Sequence, residues 1–204
     1  MSQLEAGAGV AQVVNRCRSA KEDKRLDLSD CKLIQVPEAV YFLMKNVGVE
    51  SINLTNNAIP RLPTKFAVIF PQLSELCLQR NKFSNLPDEL KELTSLEMLD
   101  ISYNNFTRLP NVTYKFSKLK FLNAENNSIT SVDTDLLRDM TNLEEVNLYR
   151  NPLPDTLQKS LSSEVLFTVL VVSISRPFPH SILLFFFLSL SSHFTLCSGN
   201  EAFI

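Results

Sequence analysis

The stretch LEMLDISYNNFTRLP, residues 96–110, decides the fold because it recurs along the chain. Its apolar residues mostly alternate, as in a β-strand, yet Asn104 stands in line with residues that should face inward. Related stretches begin at residues 25, 49, 73, 119 and 143, which makes six copies. The matching positions lie 26, 24, 23, 23 and 24 residues apart and are Cys31, Asn57, Asn81, Asn104, Asn127 and Asn151. Such a period predicts a solenoid of stacked coils.

Stacking explains the asparagine. After each short strand the chain turns, and its backbone N–H and C=O groups face the interior, where they need partners. An amide side chain has donors and an acceptor, so it can bridge its own turn to the next coil. Because each unpaired group costs roughly 1–3 kcal/mol, we predict a structural asparagine ladder. A cysteine thiol, a small and weak donor, can occupy the first position.

The sequence divides into three predicted parts. Residues 1–24 are predicted to form an N-terminal capping helix, because Val10, Val13, Val14 and Cys17 fall at helical spacing. A membrane-surface helix is the less favoured alternative, since it needs a larger apolar face and more basic charge. Residues 25–164 contain the repeats, about six in number. Residues 165–204 form a divergent apolar tail that we expect to be poorly ordered.

Three interpretations of the tail stay open. Its two apolar runs are shorter than the roughly 20 residues of a membrane-spanning helix, but a membrane anchor remains one alternative. A C-terminal cap is another. The favoured interpretation is an alternative exon or a gene-model product, because Phe, Ser, Leu and Pro all have codons made of pyrimidines, and Phe, Ser and Leu dominate SILLFFFLSLSS.

Composition narrows the class of protein. A net charge of −2 gives no indication of a nucleic-acid partner. The four cysteines are scattered, and the N-terminus does not look like a secretory signal, so we expect a cytoplasmic protein. A secreted protein is the weakest alternative, although four N-x-S/T matches occur.

The repeats contain no pattern typical of catalysis. Both histidines, His180 and His193, lie in the tail, which excludes a Ser–His–Asp or Cys–His arrangement within the solenoid. The cysteines are too far apart in sequence for a C-x-x-C metal site, and the four glycines form no phosphate-binding loop. We therefore predict no enzyme activity, and no catalytic, cofactor-binding or metal-binding residues.

The repeats LDLSDCKLIQVPEAVY (residues 26–41) and VNLYRNPLP (residues 146–154) resemble the leucine-rich-repeat superfamily, in particular its small intracellular members. The resemblance covers about residues 10–160. It implies an α/β right-handed solenoid with a short curved parallel sheet on the concave side and helices or turns on the convex side. It also implies a monomeric, non-catalytic protein that binds other proteins.

In such a fold, the side chains between the strand leucines form columns on the concave side. The first column is Arg25, Ser51, Glu75, Met98, Phe121 and Glu145, and the second is Asp27, Asn53, Cys77, Asp100, Asn123 and Asn147. The third is Ser29, Thr55, Gln79, Ser102, Glu125 and Tyr149, and the fourth is Asp30, Asn56, Arg80, Tyr103, Asn126 and Arg150. Most members are polar. The exceptions and their arginine neighbours, together the predicted partner-binding patch, are Arg80, Met98, Tyr103, Phe121, Tyr149 and Arg150.

The patch is predicted to be centred on Tyr103 and Phe121, because aromatic residues and arginine are enriched in interface hot spots. The alternative is that these are isolated exposed apolar residues, which are normal on protein surfaces. Six strands give a face of roughly 350 Å², whereas a standard interface buries about 800 Å² per partner. We therefore expect a partner that also touches the turns, or that binds weakly.

Overall fold

The computed structural model describes residues 3–164 and 168–170. Its strands form one parallel sheet in chain order, and each pairs with its sequence neighbours. The strands are β1 (Arg25–Asp27), β2 (Ser51–Asn53), β3 (Glu75–Cys77), β4 (Met98–Asp100), β5 (Phe121–Asn123), β6 (Glu145–Asn147) and β7 (Thr168–Leu170). The register aligns the same position of every repeat, for example Leu76 with Leu99 and Leu99 with Leu122. The predicted solenoid fold is confirmed.

The core lies between the sheet and the convex segments. The central residue of each of the first six strands faces inward and is at most 1% exposed: Leu26, Ile52, Leu76, Leu99, Leu122 and Val146. From the convex side, Phe70, Leu93, Phe116 and Met140 fill the same layer and are buried, as their spacing in the sequence predicts. Full burial of such a side chain stabilises the fold by about 1.5–3 kcal/mol.

Prolines begin the convex segments. The carbonyls of Pro37, Pro63, Pro87 and Pro110 each accept the N–H of the residue three positions later, at 2.9–3.1 Å. At the fifth copy Asp133 takes this place, and its side chain accepts the N–H of Leu136 at 3.0 Å. The segments are α2 (Glu38–Met44), α3 (Phe66–Ile69), two 3₁₀ helices (Asp88–Glu92 and Asn111–Lys115), α4 (Thr134–Arg138) and α5 (Asp155–Glu164).

Helix α1 (Gln3–Asp23) covers the first coil. Val13, Cys17 and Ala20 are its buried residues, whereas Val10 is 65% exposed, so the predicted apolar face is wrong at Val10. The buried face of the helix instead continues from Val13 and Cys17 to Ala20, one turn further along the chain. From this helix Arg16 donates to two carbonyls of the first coil, Asp27 at 3.1 Å and Ser29 at 2.7 Å. These carbonyls point away from β2 and would otherwise form an open sheet edge.

β7 extends the sheet beyond the six predicted copies, and it falls within the stretch that the sequence predicts to be a divergent tail. Apart from β7, the tail 165–204 and both histidines lie outside the described residues. Across the described part of the chain, no helix combines the length and apolar character that a membrane crossing requires.

Candidate protein-binding face

The asparagine at the end of each strand ties two coils together. Asn104 accepts the N–H of Phe83 at 2.9 Å and donates to the carbonyls of Leu78 at 2.9 Å and Ile101 at 3.1 Å. Phe83 and Leu78 belong to the preceding coil, so the bridge runs backward along the chain and not to the next coil as predicted. The same pattern of bonds to the preceding coil occurs at Asn57, Asn81, Asn127 and Asn151.

Cys31 occupies the same position in the first coil, where no earlier coil exists. Its Sγ donates only within its own turn, to the carbonyl of Ser29 at 3.3 Å. The bonds that bridge to an earlier element come instead from Arg16 of α1. A thiol is therefore sufficient here, because the helix supplies the donors.

The second column has a structural role that the sequence reasoning missed. In five of its six members, the side-chain oxygen accepts the N–H two residues later, for example Asp100 from Ser102 at 2.8 Å. The other four are Asp27, Asn53, Asn123 and Asn147, with distances of 2.9–3.1 Å. This bond is an Asx turn, for which Asp and Asn are the suited residues. A recurrent Asp or Asn two residues before the third column was the available signal.

Asp100 lies at the centre of this column and is only 1% exposed. Its carboxylate also accepts from the Ser102 hydroxyl at 2.6 Å and from Nδ2 of Asn123 at 3.1 Å. Burial nevertheless dominates and raises the pKa of Asp100 to about 6. The concave face thus contains a carboxyl group that titrates close to neutral pH.

Two predicted patch residues, Tyr103 and Arg150, contact Glu125, a residue that the sequence reasoning did not select. The Tyr103 hydroxyl donates to Oε1 of Glu125 at 3.2 Å, and Asn147 donates to Oε2 at 3.3 Å. Nη1 of Arg150 lies 3.4 Å from the Tyr103 hydroxyl oxygen and 3.8 Å from Glu125. Burial and the nearby Glu125 carboxylate both raise the pKa of Tyr103, so its hydroxyl stays protonated.

Cation–π contacts complete this group. The guanidinium of Arg80 lies over the ring of Tyr103, 5.4 Å from its centroid, and that of Arg150 lies over Tyr149 at 5.1 Å. Each such contact contributes about 0.5–1 kcal/mol at an exposed position. We refer to these five residues, Arg80, Tyr103, Glu125, Tyr149 and Arg150, as the Tyr103 cluster.

The other two predicted patch residues lie elsewhere on the sheet. Met98 is 7% exposed and packs against Cys77, with Phe121 half-buried beside them. The expectation that Met98 is an accessible contact is therefore wrong, because its neighbours on β3 and β5 cover it. The predicted patch divides into a buried apolar group and the Tyr103 cluster.

The fourth column has an unusual backbone conformation. All six of its members have positive φ, between 52° and 56°. Asn and Asp adopt this left-handed region more readily than other non-glycine residues, and they occur at Asp30, Asn56 and Asn126. Arg80, Tyr103 and Arg150 do not belong to those types. Three members of the Tyr103 cluster therefore occupy positions where the backbone disfavours them.

No group of three or more His, Cys, Asp or Glu side chains in the described ranges is arranged to hold a metal ion.

Comparison with known proteins follows the same repeats. The leucine rich repeat family model matches residues 71–129. Leucine-rich repeat-containing protein 20 of Mus musculus is 41% identical over 91 residues, covering 44% of this chain and 49% of that protein. The Homo sapiens protein of that name is 39% identical over 95 residues, covering 46% and 51%. The chain spans about half the length of the curated relatives it matches.

A solved structure shares the fold. The crystal structure of a TLR13–ssRNA13 complex matches with a TM-score of 0.62 at 20% identity, covering 73% of this chain and 21% of that chain. At this identity the likeness concerns the fold alone. Together with the family model, it confirms the predicted resemblance to leucine-rich-repeat proteins.

Proposed function

We propose that this leucine-rich-repeat protein, which resembles leucine-rich repeat-containing protein 20, is a non-catalytic protein–protein interaction module whose partner binds the Tyr103 cluster and the adjoining turns. The supporting observation is that two tyrosines, two arginines and Glu125 form one connected group through hydrogen bonds and cation–π contacts. Tyrosine and arginine are the residues, with tryptophan, that dominate interface hot spots.

The cluster is already ordered before a partner arrives. Tyr103 is held at its hydroxyl by Glu125 and on its ring face by Arg80. Immobilising a long side chain on binding costs about 0.5–1.5 kcal/mol, and these contacts reduce that cost in advance. A pre-organised cluster can therefore support affinity on a small face.

The size of the face determines where the partner must lie. The second column is used for turns within the protein itself, which leaves less of the roughly 350 Å² projected face for contacts. The fourth column lies at the turns that follow the strands. A partner centred on Tyr103 would thus lie partly on the sheet and partly on those turns, as the expected interface area requires.

The test compares Tyr103→Ala with Phe42→Ala in the full chain. Phe42 is 82% exposed on α2, on the convex side, so it is a matched control for removing a surface aromatic residue. Partner proteins captured by the immobilised wild-type chain should be reduced at least about tenfold by Tyr103→Ala and retained by Phe42→Ala, with unchanged melting temperatures. Equal capture by all three chains would overturn the proposal.

Three further expectations belong to this proposal. The absence of catalysis and the cytoplasmic location would be examined by activity profiling and cell fractionation. The membrane-tethered alternative rests on residues 165–204, and carbonate extraction tests it, because an anchored chain stays in the membrane pellet.

Because the cluster contains Glu125 and the chain has a net charge of −2, we favour a protein partner over nucleic acid. Single-stranded RNA is therefore a suitable negative probe.

A further inference from the structure

The two arginines of the Tyr103 cluster differ in their counter-charges. Arg150 has a carboxylate within ion-pair distance, since Glu125 lies 3.8 Å away. Arg80 is exposed, and among the described residues no carboxylate lies within 4 Å of its guanidinium. The neighbouring acid of its own column, Asp30, is hydrogen-bonded to Asn56. Among the described residues, the positive charge of Arg80 is thus not neutralised by a carboxylate.

Arg80 is also held in place. Its backbone N–H donates to the carbonyl of Ser102 at 3.1 Å, and its guanidinium lies over the Tyr103 ring at 5.4 Å. The ring itself cannot turn away freely because its hydroxyl donates to Glu125. The guanidinium N–H groups of Arg80 make no hydrogen bond to the described residues, so they are available at the exposed surface. Those groups form a planar fork that matches the two oxygens of a carboxylate.

The backbone at Arg80 favours the same interpretation. A non-glycine residue in the left-handed region costs about 1–2 kcal/mol, and asparagine at Asn56 and Asn126 shows which side chain the fold itself would favour there. The turn of the repeat imposes this conformation on every member of the column, and residues strained in this way cluster at functional sites. Arg80 and Tyr103 both occupy such positions, and they are the two residues in stacking contact.

We propose that Arg80, stacked on Tyr103, binds a carboxylate of an acidic segment in the partner protein through a bidentate pair of hydrogen bonds. This inference rests on the proposed function and specifies its partner chemistry. Arg150 has the supporting role of keeping the Tyr103 hydroxyl and Glu125 in position. The acidic side chain would approach from the side of the turns, where Arg80 is exposed.

A direct binding experiment with defined probes tests this. The probe is a short fluorescein-labelled peptide of alternating Glu and Ala, compared with the same peptide in which every Glu is Gln, and binding to the full chain is followed by fluorescence anisotropy. The Glu peptide should bind at least about tenfold more tightly, and Arg80→Gln should remove about that factor. Arg80→Lys keeps the charge but not the fork, and should fall between the two.

Arg108→Gln is the matched control, because Arg108 is also exposed and the variant changes the net charge equally. It should leave the affinity unchanged. Equal losses in Arg80→Gln and Arg108→Gln would mean non-specific attraction and would overturn the inference, as would equal affinity for the two peptides. Displacement of the Glu peptide by inorganic phosphate, but not by chloride at equal ionic strength, would assign the arginine to phosphate and also overturn it.

The outcome separates this inference from the broader proposal. If partner capture depends on Tyr103 while Glu and Gln peptides bind alike, the binding face stands and the acidic partner is wrong. If capture is insensitive to Tyr103→Ala, the binding face itself is wrong. Melting temperatures of Arg80→Gln and Arg80→Lys should lie within about 4 °C of the wild-type value, since Arg80 is exposed and its cation–π contact with Tyr103 contributes about 0.5–1 kcal/mol.

Discussion

Replacing Asn104 with alanine should destabilise the protein by about 2–4 kcal/mol, and the hydrogen bonds show why the loss is not larger. The amide makes four bonds: it accepts from Phe83, and it donates to the carbonyls of Leu78, Ile101 and Ser102 at 2.9–3.1 Å. Each of these three carbonyls keeps another donor when the amide is removed. Those donors are Asn81, Asn127 and the Arg80 N–H.

The Phe83 N–H is different, because Oδ1 of Asn104 is its acceptor within the described chain. An orphaned buried N–H costs about 1–3 kcal/mol, and the three weakened bonds and the small cavity add the remainder. Urea unfolding followed by circular dichroism measures the change. The control is Asn105→Ala, whose side chain is exposed, with an expected change within about 0.5 kcal/mol.

Asn104→Asp sharpens the test. It keeps an acceptor for the Phe83 N–H but turns lone pairs toward the three carbonyl oxygens, so at neutral pH it should be less stable than Asn104→Ala. Lowering the pH protonates the carboxyl group, restores a donor and should recover part of the loss. A loss below about 1 kcal/mol for Asn104→Ala, or equal losses at positions 104 and 105, would refute the ladder as the link between coils.

The remaining predictions concern other residues of the coils and of the helix that covers the first coil. Arg80→Asn should stabilise the fold by about 0.5–1 kcal/mol in urea unfolding, because relief of the left-handed strain, about 1–2 kcal/mol, exceeds the loss of the contact with Tyr103, about 0.5–1 kcal/mol. The same substitution should weaken binding of the Glu peptide, and a destabilised variant would contradict the strain argument. Asp100 binds its proton more tightly in the folded protein than in the unfolded chain, because burial raises its pKa from 3.8 to about 6. The contribution of Asp100 to the free energy of unfolding should therefore fall by about 2–3 kcal/mol as pH rises from about 4 to 6, and then level off. Asp100→Asn should lack this decline, and the same pH dependence in the wild type and in Asp100→Asn would refute the assignment. Arg16→Ala should cost about 1 kcal/mol by exposing two edge carbonyls of the first coil, those of Asp27 and Ser29, whereas Arg18→Ala, exposed on the same helix, should cost almost nothing in thermal unfolding.

The period of the repeat was enough to predict the sheet, its register and the core. An asparagine recurs at position 104 and its equivalents, and each copy of the repeat has apolar side chains at the same positions. The stacking of the coils is therefore predictable from the repeat pattern alone. Phe70, Leu93, Phe116 and Met140 were predictable for the same reason. These features are predictable because every coil places the same strand, turn and core positions at the same spacing.

Features that depend on neighbours across coils were not predictable. Met98 looks like an exposed residue in its own repeat, and only the side chains on β3 and β5 bury it. Glu125 is one polar residue among many until Tyr103, Asn147 and Arg150 converge on it. The Asp and Asn residues that form the Asx turns of the second column look like ordinary polar surface residues in the sequence. What the one-dimensional pattern lacks is the lateral contact between columns.

The contact between Arg16 and the first coil has a consequence for assembly. A stack of coils has two termini, and copies that joined terminus to terminus would polymerise without limit, as open heterologous contacts do. Arg16 engages the carbonyls that an incoming strand would need. With this edge of the first coil occupied, head-to-tail addition of a second molecule here is blocked, which closes that route to a fibre.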